Sequence, residues 1–202
     1  MPSNKKLLIL PGDGIGPEIT RAVQKIFSAA GSPIEWEEHQ AGHASLEVGG
    51  DVLPADTIEA IQRRKVALKG PCTTPVGQGF TSVNVQIRQR LNLYAAVRPV
   101  RNLEGVNTRF DDVDLIIIRE NTEGLYSGVE NQLTNDVVMS MKIATETACR
   151  RISRWAFRYA TQRQREKITV FHKANIMKLT DGLFLRCARE VHQREYPNIK
   201  YE

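Results

Sequence analysis

The chain has 202 residues, 41% of them hydrophobic and 25% charged, with a formal net charge of +5. These values match globular averages and exclude a disordered tail, a collagen and a membrane bundle. The longest wholly aliphatic runs, Leu7–Leu10 and Leu115–Ile118, are far too short to span a bilayer. Cys72, Cys149 and Cys187 are widely separated, lack metal-clip spacing and are odd in number, so they read as reduced thiols. The opening Met1-Pro2-Ser3-Asn4-Lys5-Lys6 has no apolar signal core and no Arg/Ser-rich leader. It predicts a cytoplasmic protein of a prokaryote.

Strands and helices are predicted in alternation. Residues 6–10 read as a strand ending in Pro11-Gly12-Asp13-Gly14. Pro17 and Glu18 suit the first turn of a helix whose inner face is Ile19, Val23, Ile26 and Phe27, and Gly31-Ser32-Pro33 stops it. An extended piece at 34–38 precedes a helix opened by Pro54-Ala55-Asp56 and carrying Ile58 and Ile61. A strand at 66–69 leads into an irregular loop over 70–81, and Ser82 opens a helix over 83–91. A strand over 93–98 is closed by Pro99, and a strongly apolar strand covers 113–119. Segments 123–129 and 136–143 look extended, a strand covers 168–172, and a helix covers 181–195 with Leu183, Leu185, Cys187, Ala188 and Val191 for burial. The alternation gives an α/β fold. The final residues, Asn198 to Glu202, read as a strand just beginning, as in a fragment or an early stop.

The basic charge is local. Between residues 150 and 167 stand Arg150, Arg151, Arg154, Arg158, Arg163, Arg165 and Lys167 against Glu166 alone, an excess of +6 that leaves −1 for the rest of the chain. Ala148, Ile152, Trp155, Phe157 and Tyr159 run through it at roughly helical spacing. This is an amphipathic helix with a solvated or interface face. No aromatic platform for bases interleaves with it, and neither nucleic acid nor membrane is expected as a partner.

Gly12-Asp13-Gly14-Ile15-Gly16 follows a strand and precedes a helix, with Glu35 and Glu37 about 20 residues on. The spacing is G-x-G-x-G rather than G-x-G-x-x-G, with Pro17 next, so a Rossmann dinucleotide loop is not assigned; nor is a Walker loop. The glycines instead imply positive φ or a close approach of backbone to a ligand. His39 and His43 are four apart, but Gly42 and an extended context make a poor metal site.

Residues 70–119 hold the chemistry. Ser82 stands at a helix start, and Asn84 and Arg88 share a face at i and i+4. Arg98 and Arg119 stand at the ends of two strands, where ligands bind in α/β sheets. Three converging guanidinium groups suit several carboxylates or phosphates. The alternative is that each arginine pairs with a nearby acid such as Glu120 or Glu123.

The wording of these segments resembles a known family. Leu8-Ile9-Leu10-Pro11-Gly12-Asp13-Gly14-Ile15-Gly16-Pro17-Glu18 and Lys69-Gly70-Pro71-Cys72-Thr73-Thr74-Pro75-Val76-Gly77 are similar to the isocitrate/isopropylmalate dehydrogenases. Ser82-Val83-Asn84-Val85-Gln86-Ile87-Arg88, Leu93-Tyr94-Ala95, Val97-Arg98-Pro99-Val100 and Arg119-Glu120-Asn121-Thr122-Glu123-Gly124 with Tyr126 resemble the isocitrate branch. His172-Lys173-Ala174-Asn175-Ile176-Met177-Lys178 resembles its NAD-dependent type. The resemblance covers essentially the whole chain.

It implies that family's fold: part of a large domain over 1–93, an incomplete small domain over 94–122 and 164–202, and a clasp joining two subunits over 123–163. It implies oxidative decarboxylation of isocitrate to 2-oxoglutarate and CO2 with reduction of NAD, NADP being possible. Ser82, Asn84, Arg88, Arg98 and Arg119 would bind isocitrate. Thr73 and Thr74 would lie by the nicotinamide, and Tyr126 and Lys173 would share the proton transfers, the lysine acting in the neighbouring subunit of a homodimer or larger homo-oligomer. The family's Mg2+ or Mn2+ carboxylates and its adenosine loop match nothing here. Asp13, Asp111, Asp112, Asp114, Asp136 and Asp181 do not correspond to the metal positions. The 202 residues alone are therefore expected to be inactive and prone to aggregate at an uncovered sheet edge. The alternatives are a non-catalytic regulatory subunit that binds isocitrate, or a homoisocitrate or 3-isopropylmalate enzyme.

Overall fold

The computed structural model describes residues 5–75 and 79–202, and the chain divides into two compact units, 1–92 and 93–202. Met1 to Asn4, and Val76 and Gly77 of the second motif, lie outside the described residues.

In the first unit β1 (Lys5–Leu10) is the centre of a parallel sheet of order β2-β1-β3, with β2 at Ile34–Glu38 and β3 at Ala67–Lys69. Leu8, Ile9 and Leu10 are fully buried, as a central parallel strand requires. α3 (Ala55–Arg64) and α4 (Val83–Arg90) add Ala60, Val83 and Ile87 to the core of Leu8, Leu10, Ala41 and Leu53.

α1 (Gly16–Ala29) starts as expected, with Pro17 in its first turn, but its expected inner face is not a core. Thr20 is buried and donates to the Gly16 carbonyl at 2.9 Å, whereas Ile19 is 45% and Ile26 66% exposed. Phe27 finds only an edge-on contact with Trp36 at 5.6 Å. Amphipathic spacing says which face seeks cover, not whether these residues supply it. A short helix that the sequence did not reveal, α2 (His43–Glu47), starts after Gly42 at φ +83°. His43 opens that helix while His39 lies beyond β2, 3.4 Å from the Glu37 carboxylate, so the two are not on one helical face.

In the second unit β4 (Ala95–Arg101) and β5 (Asp114–Glu120) form an antiparallel pair. Pro99 does not close β4: it sits inside the ladder opposite Ile116, because β4 has a neighbour on one side only and an edge strand tolerates proline. β6 (Gly124–Thr134) and β7 (Val137–Ile143) make a separate two-stranded ribbon with register shifts, and Leu133 and Val138 stand exposed on it.

α5 (Glu146–Gln162) is capped by Thr145, whose hydroxyl accepts from the Ala148 N–H. Its buried face is Ala148, Cys149, Ile152, Ser153, Phe157 and Ala160. Trp155 and Tyr159, expected on that stripe, are half-buried and stack on each other at 5.0 Å. α6 (Thr180–Glu195) packs on α5 through Cys187, Ala188 and Val191. The strand expected over 168–172 is β8 (Lys167–Ile168), parallel to β9 (Lys200–Tyr201), with the Glu202 N–H donating to Ile168 and the Val170 N–H to Glu202 beyond it.

Most cations of the basic segment are neutralised within the unit. Arg150 bonds Glu146 and Glu190, Arg154 bonds Glu195, Arg165 bonds Asp114 and Lys167 bonds Glu202. Arg151 lies 3.6 Å from Glu120 and 4.3 Å over the Tyr94 ring. The helix face is an ion-pair lattice rather than an open polyanion track.

Candidate active site

Two loops leave the carboxyl ends of the adjacent parallel strands β1 and β3, and they are laced together. The Gly70 N–H donates to the Leu10 carbonyl at 2.7 Å and the Asp13 N–H to the Pro71 carbonyl at 3.1 Å. The glycines exist for this approach. A Cβ on Gly12, at φ +75°, would sit 1.9 Å from the Pro71 carbonyl oxygen, and one on Gly70 would sit 2.1 Å from that of Pro11. The sequence predicted positive φ or close approach to a ligand; the positive φ is present, and the close approach is to the chain's own neighbouring loop.

Asp13 completes the junction. Its carboxylate accepts the Thr73 N–H at 2.6 Å and the His43 N–H at 2.9 Å. Burial opposes ionisation, but the bonds from Thr73 and His43 hold the carboxyl below the ordinary aspartate value. The backbone carrying Thr73 and Thr74 is thereby pinned, and both threonines are exposed at the strand ends.

Ser82 precedes α4 without capping it through its side chain. Asn84 and Arg88 follow on one face, both half-buried, while Val83 and Ile87 face the core.

In the second unit the ladder pairs Ala96 with Arg119 and Arg98 with Ile117, so Arg98 and Arg119 are diagonal neighbours on one face of β4–β5. Arg119 places its guanidinium 4.7 Å from the centre of the Tyr126 ring. The alternative in which acids neutralise these arginines fails for the acids it named. Glu120 is taken by the Thr122 N–H and hydroxyl and the Glu123 N–H, and Glu123 by the N–H and hydroxyl of Thr145. Among the described residues no ion pair joins Arg88, Arg98 or Arg119 to a carboxylate.

Lys173 stands on the turn between β8 and α6. Its N–H donates to Asp181 at 2.6 Å, and its carbonyl accepts from Ile176 at 3.0 Å and Met177 at 2.8 Å. The other oxygen of Asp181 receives the Lys142 ammonium from β7. Burial opposes the charge of Asp181, but Lys142 and the Lys173 N–H hold its carboxyl below the ordinary value. The structure thus brings Arg98, Arg119 and Tyr126 to one region of the second unit, with Lys173 on its own turn. Thr73, Thr74, Ser82, Asn84 and Arg88 belong to the first unit.

Sequence reasoning missed Asp13 and Asp181, having weighed them only as metal ligands. An acid inside a glycine run and an acid in a helix's first turn were the available signals. It also missed Glu120 and Glu123 as ligands of backbone N–H groups.

The model of the family described as "Isocitrate/isopropylmalate dehydrogenase" matches residues 6–202. The chain belongs to that family. It is 51% identical over 198 residues to a probable isocitrate dehydrogenase [NAD] subunit alpha, mitochondrial, of Drosophila melanogaster, covering 98% of the chain and 52% of the relative. It is 52% identical over 203 residues to a chloroplastic 3-isopropylmalate dehydrogenase of Solanum tuberosum, covering 99% and 57%. Among solved structures, the isocitrate dehydrogenase of Methylococcus capsulatus superposes with a TM-score of 0.92 at 46% identity, covering 97% of the chain and 59% of that structure. The chain spans about half the length of the curated relatives it matches.

These likenesses bear out the family's α/β fold over the described part and its resemblance to the NAD-dependent isocitrate branch. They overturn the cytoplasmic expectation, because isocitrate dehydrogenase relatives near half identity are mitochondrial subunits. That expectation rested on the first few residues, which carry no weight in a chain spanning half of its relatives.

A divalent metal and a nicotinamide belong to the family's chemistry. The described residues gather no group of three His, Cys, Asp or Glu side chains able to hold a metal ion, so they do not fit the metal. Thr73 and Thr74 offer exposed hydroxyls on a backbone that Asp13 holds.

Proposed function

We propose that the complete protein carrying this chain is an NAD-dependent isocitrate dehydrogenase, converting isocitrate to 2-oxoglutarate and CO2 in mitochondria. This chain supplies carboxylate recognition and proton transfer. The observation that carries the reading is the placing of Arg98 and Arg119 as diagonal neighbours on one face of β4–β5, with the nearby acids Glu120 and Glu123 occupied by backbone N–H groups. Two guanidinium groups on one face, not tied to a carboxylate of the chain, suit an external polyanion such as a substrate with several carboxylates.

Ser82 and Asn84, polar and near the start of α4, take the carboxylate that separates isocitrate from 3-isopropylmalate, whose alkyl group would leave them unsatisfied. Thr73 and Thr74 border the nicotinamide. Tyr126 and Lys173 hold and deliver the proton that replaces the departing carboxylate, with Arg119 keeping a fixed positive charge over the Tyr126 ring. The ribbon β6–β7, with its exposed apolar side chains, serves as the clasp between subunits, whether of one kind or two.

The test is turnover by the complete protein with isocitrate, NAD and Mg2+. Equal yields of NADH and 2-oxoglutarate support the reading. Saturable isocitrate binding without NADH would make it a regulatory subunit instead. The 3-isopropylmalate reading keeps one specific support, the relative in Solanum tuberosum.

A further inference from the structure

Lys173 has both backbone groups engaged, so only its side chain is left to act. Its carbonyl closes the turn with the N–H groups of Ile176 and Met177, and its own N–H is taken by Asp181. Asp181, whose side chain is 10% exposed, sits in the first turn of α6. One of its oxygens takes the Lys173 N–H; the other takes the ammonium of Lys142, which stands in β7 of the ribbon and also lies 3.4 Å from the sulfur of Met177. A single carboxylate therefore ties the ribbon, the lysine turn and the helix. Loss of one partner would leave a nearly buried charge half satisfied and free to turn away from the other.

We infer that Asp181 is a positioning residue for Lys173, and that through Lys142 the ordering of the β6–β7 ribbon sets where Lys173 stands. Asp181 already has both carboxylate oxygens engaged, one by the Lys142 ammonium and one by the Lys173 N–H. It fixes the backbone from which the Lys173 side chain projects, and a misplacement of about 1 Å is enough to cost a proton-transfer group much of its effect. A ribbon of two strands is marginally stable by itself. The Lys142 link therefore makes the lysine turn responsive to whatever covers and orders the ribbon. The kinetic part of this inference rests on the proposed isocitrate dehydrogenase reading; the link itself does not.

The experiment compares the complete protein with Asp181→Asn, Lys142→Met and Lys142→Arg. Initial rates with isocitrate are measured alongside hydrogen–deuterium exchange of the peptide containing Lys173. Asp181→Asn and Lys142→Met are expected to lower kcat at least tenfold with the isocitrate KM within twofold, because the proton step is affected and carboxylate binding is not. Lys142→Arg, which keeps a charged donor, is expected to recover most of the rate. Exchange at the Lys173 amide is expected to speed at least tenfold in the two damaging variants and to stay slow in Lys142→Arg.

Unchanged kcat in Lys142→Met, or KM rising as far as kcat falls with no recovery in Lys142→Arg, would overturn the positioning role. If the unmodified protein turns over no isocitrate, the proposed function fails, and the exchange arm decides the inference alone. Faster exchange then upholds the link, and equal protection in all four proteins overturns it.

Discussion

Replacing Asp13 should uncouple the two loops that leave β1 and β3. Its carboxylate accepts from Thr73 at 2.6 Å and from His43 at 2.9 Å, and the residue is 9% exposed. Hydrogen bonds to a charged acceptor contribute about 1.5–3 kcal/mol each, so Asp13→Ala is expected to cost about 3–6 kcal/mol. That is a large share of the roughly 5–15 kcal/mol that holds a domain folded. Asp13→Asn keeps one acceptor and turns an N–H2 toward the second donor, for an expected loss of about 1.5–3 kcal/mol. Trp36 lies in the first unit and Trp155 in the second, so urea unfolding followed by tryptophan fluorescence in a Trp155→Phe background reads the first unit alone. Because the Asp13 carboxyl titrates below its ordinary value, its contribution is present above the unfolded aspartate value. It is lost as pH falls through the folded one. The difference between Asp13 and Asp13→Asn should therefore stay constant from neutral pH to about pH 5 and shrink below about pH 4. In the complete enzyme the KM for NAD should rise, since the Thr73–Thr74 loop has lost its anchor. A loss under about 1 kcal/mol for Asp13→Ala, with NAD affinity unchanged, would refute the reasoning.

Gly12→Ala should cost about 3 kcal/mol or more, since its Cβ would meet the Pro71 carbonyl in addition to the left-handed strain. Gly31→Ala, at φ +65° with nothing within 4 Å, should cost only about 1–2 kcal/mol, and paired urea midpoints check the contrast. Arg119→Met should lower kcat/KM for isocitrate on the order of 100-fold or more, while Tyr126→Phe should lower kcat with little change in KM; steady-state kinetics separate the two.

The order of elements was legible because periodicity and punctuation agree: Pro17 begins α1 and Pro54 precedes α3. Other features depend on partners that a linear pattern does not display. Pro99 inside β4 is tolerable only because that strand is an edge. Ile19 and Ile26 follow helical spacing and are exposed all the same. The arginines of the site could be picked out as candidates, but not their freedom from acids, since Glu120 and Glu123 are diverted to backbone N–H groups by local turns. Asp13 and Asp181 stayed hidden because each bridges main-chain donors 30 or more residues away, or a donor and a distant lysine. No spacing rule marks such a carboxylate.

The most direct test of the central claim gives the complete protein isocitrate and 3-isopropylmalate together at equal concentration, with NAD and Mg2+, and quantifies both ketoacid products. The account predicts 2-oxoglutarate as the dominant product, one CO2 for each NADH, and loss of that preference when Ser82 and Asn84 are both replaced by alanine. Dominant consumption of 3-isopropylmalate would contradict it.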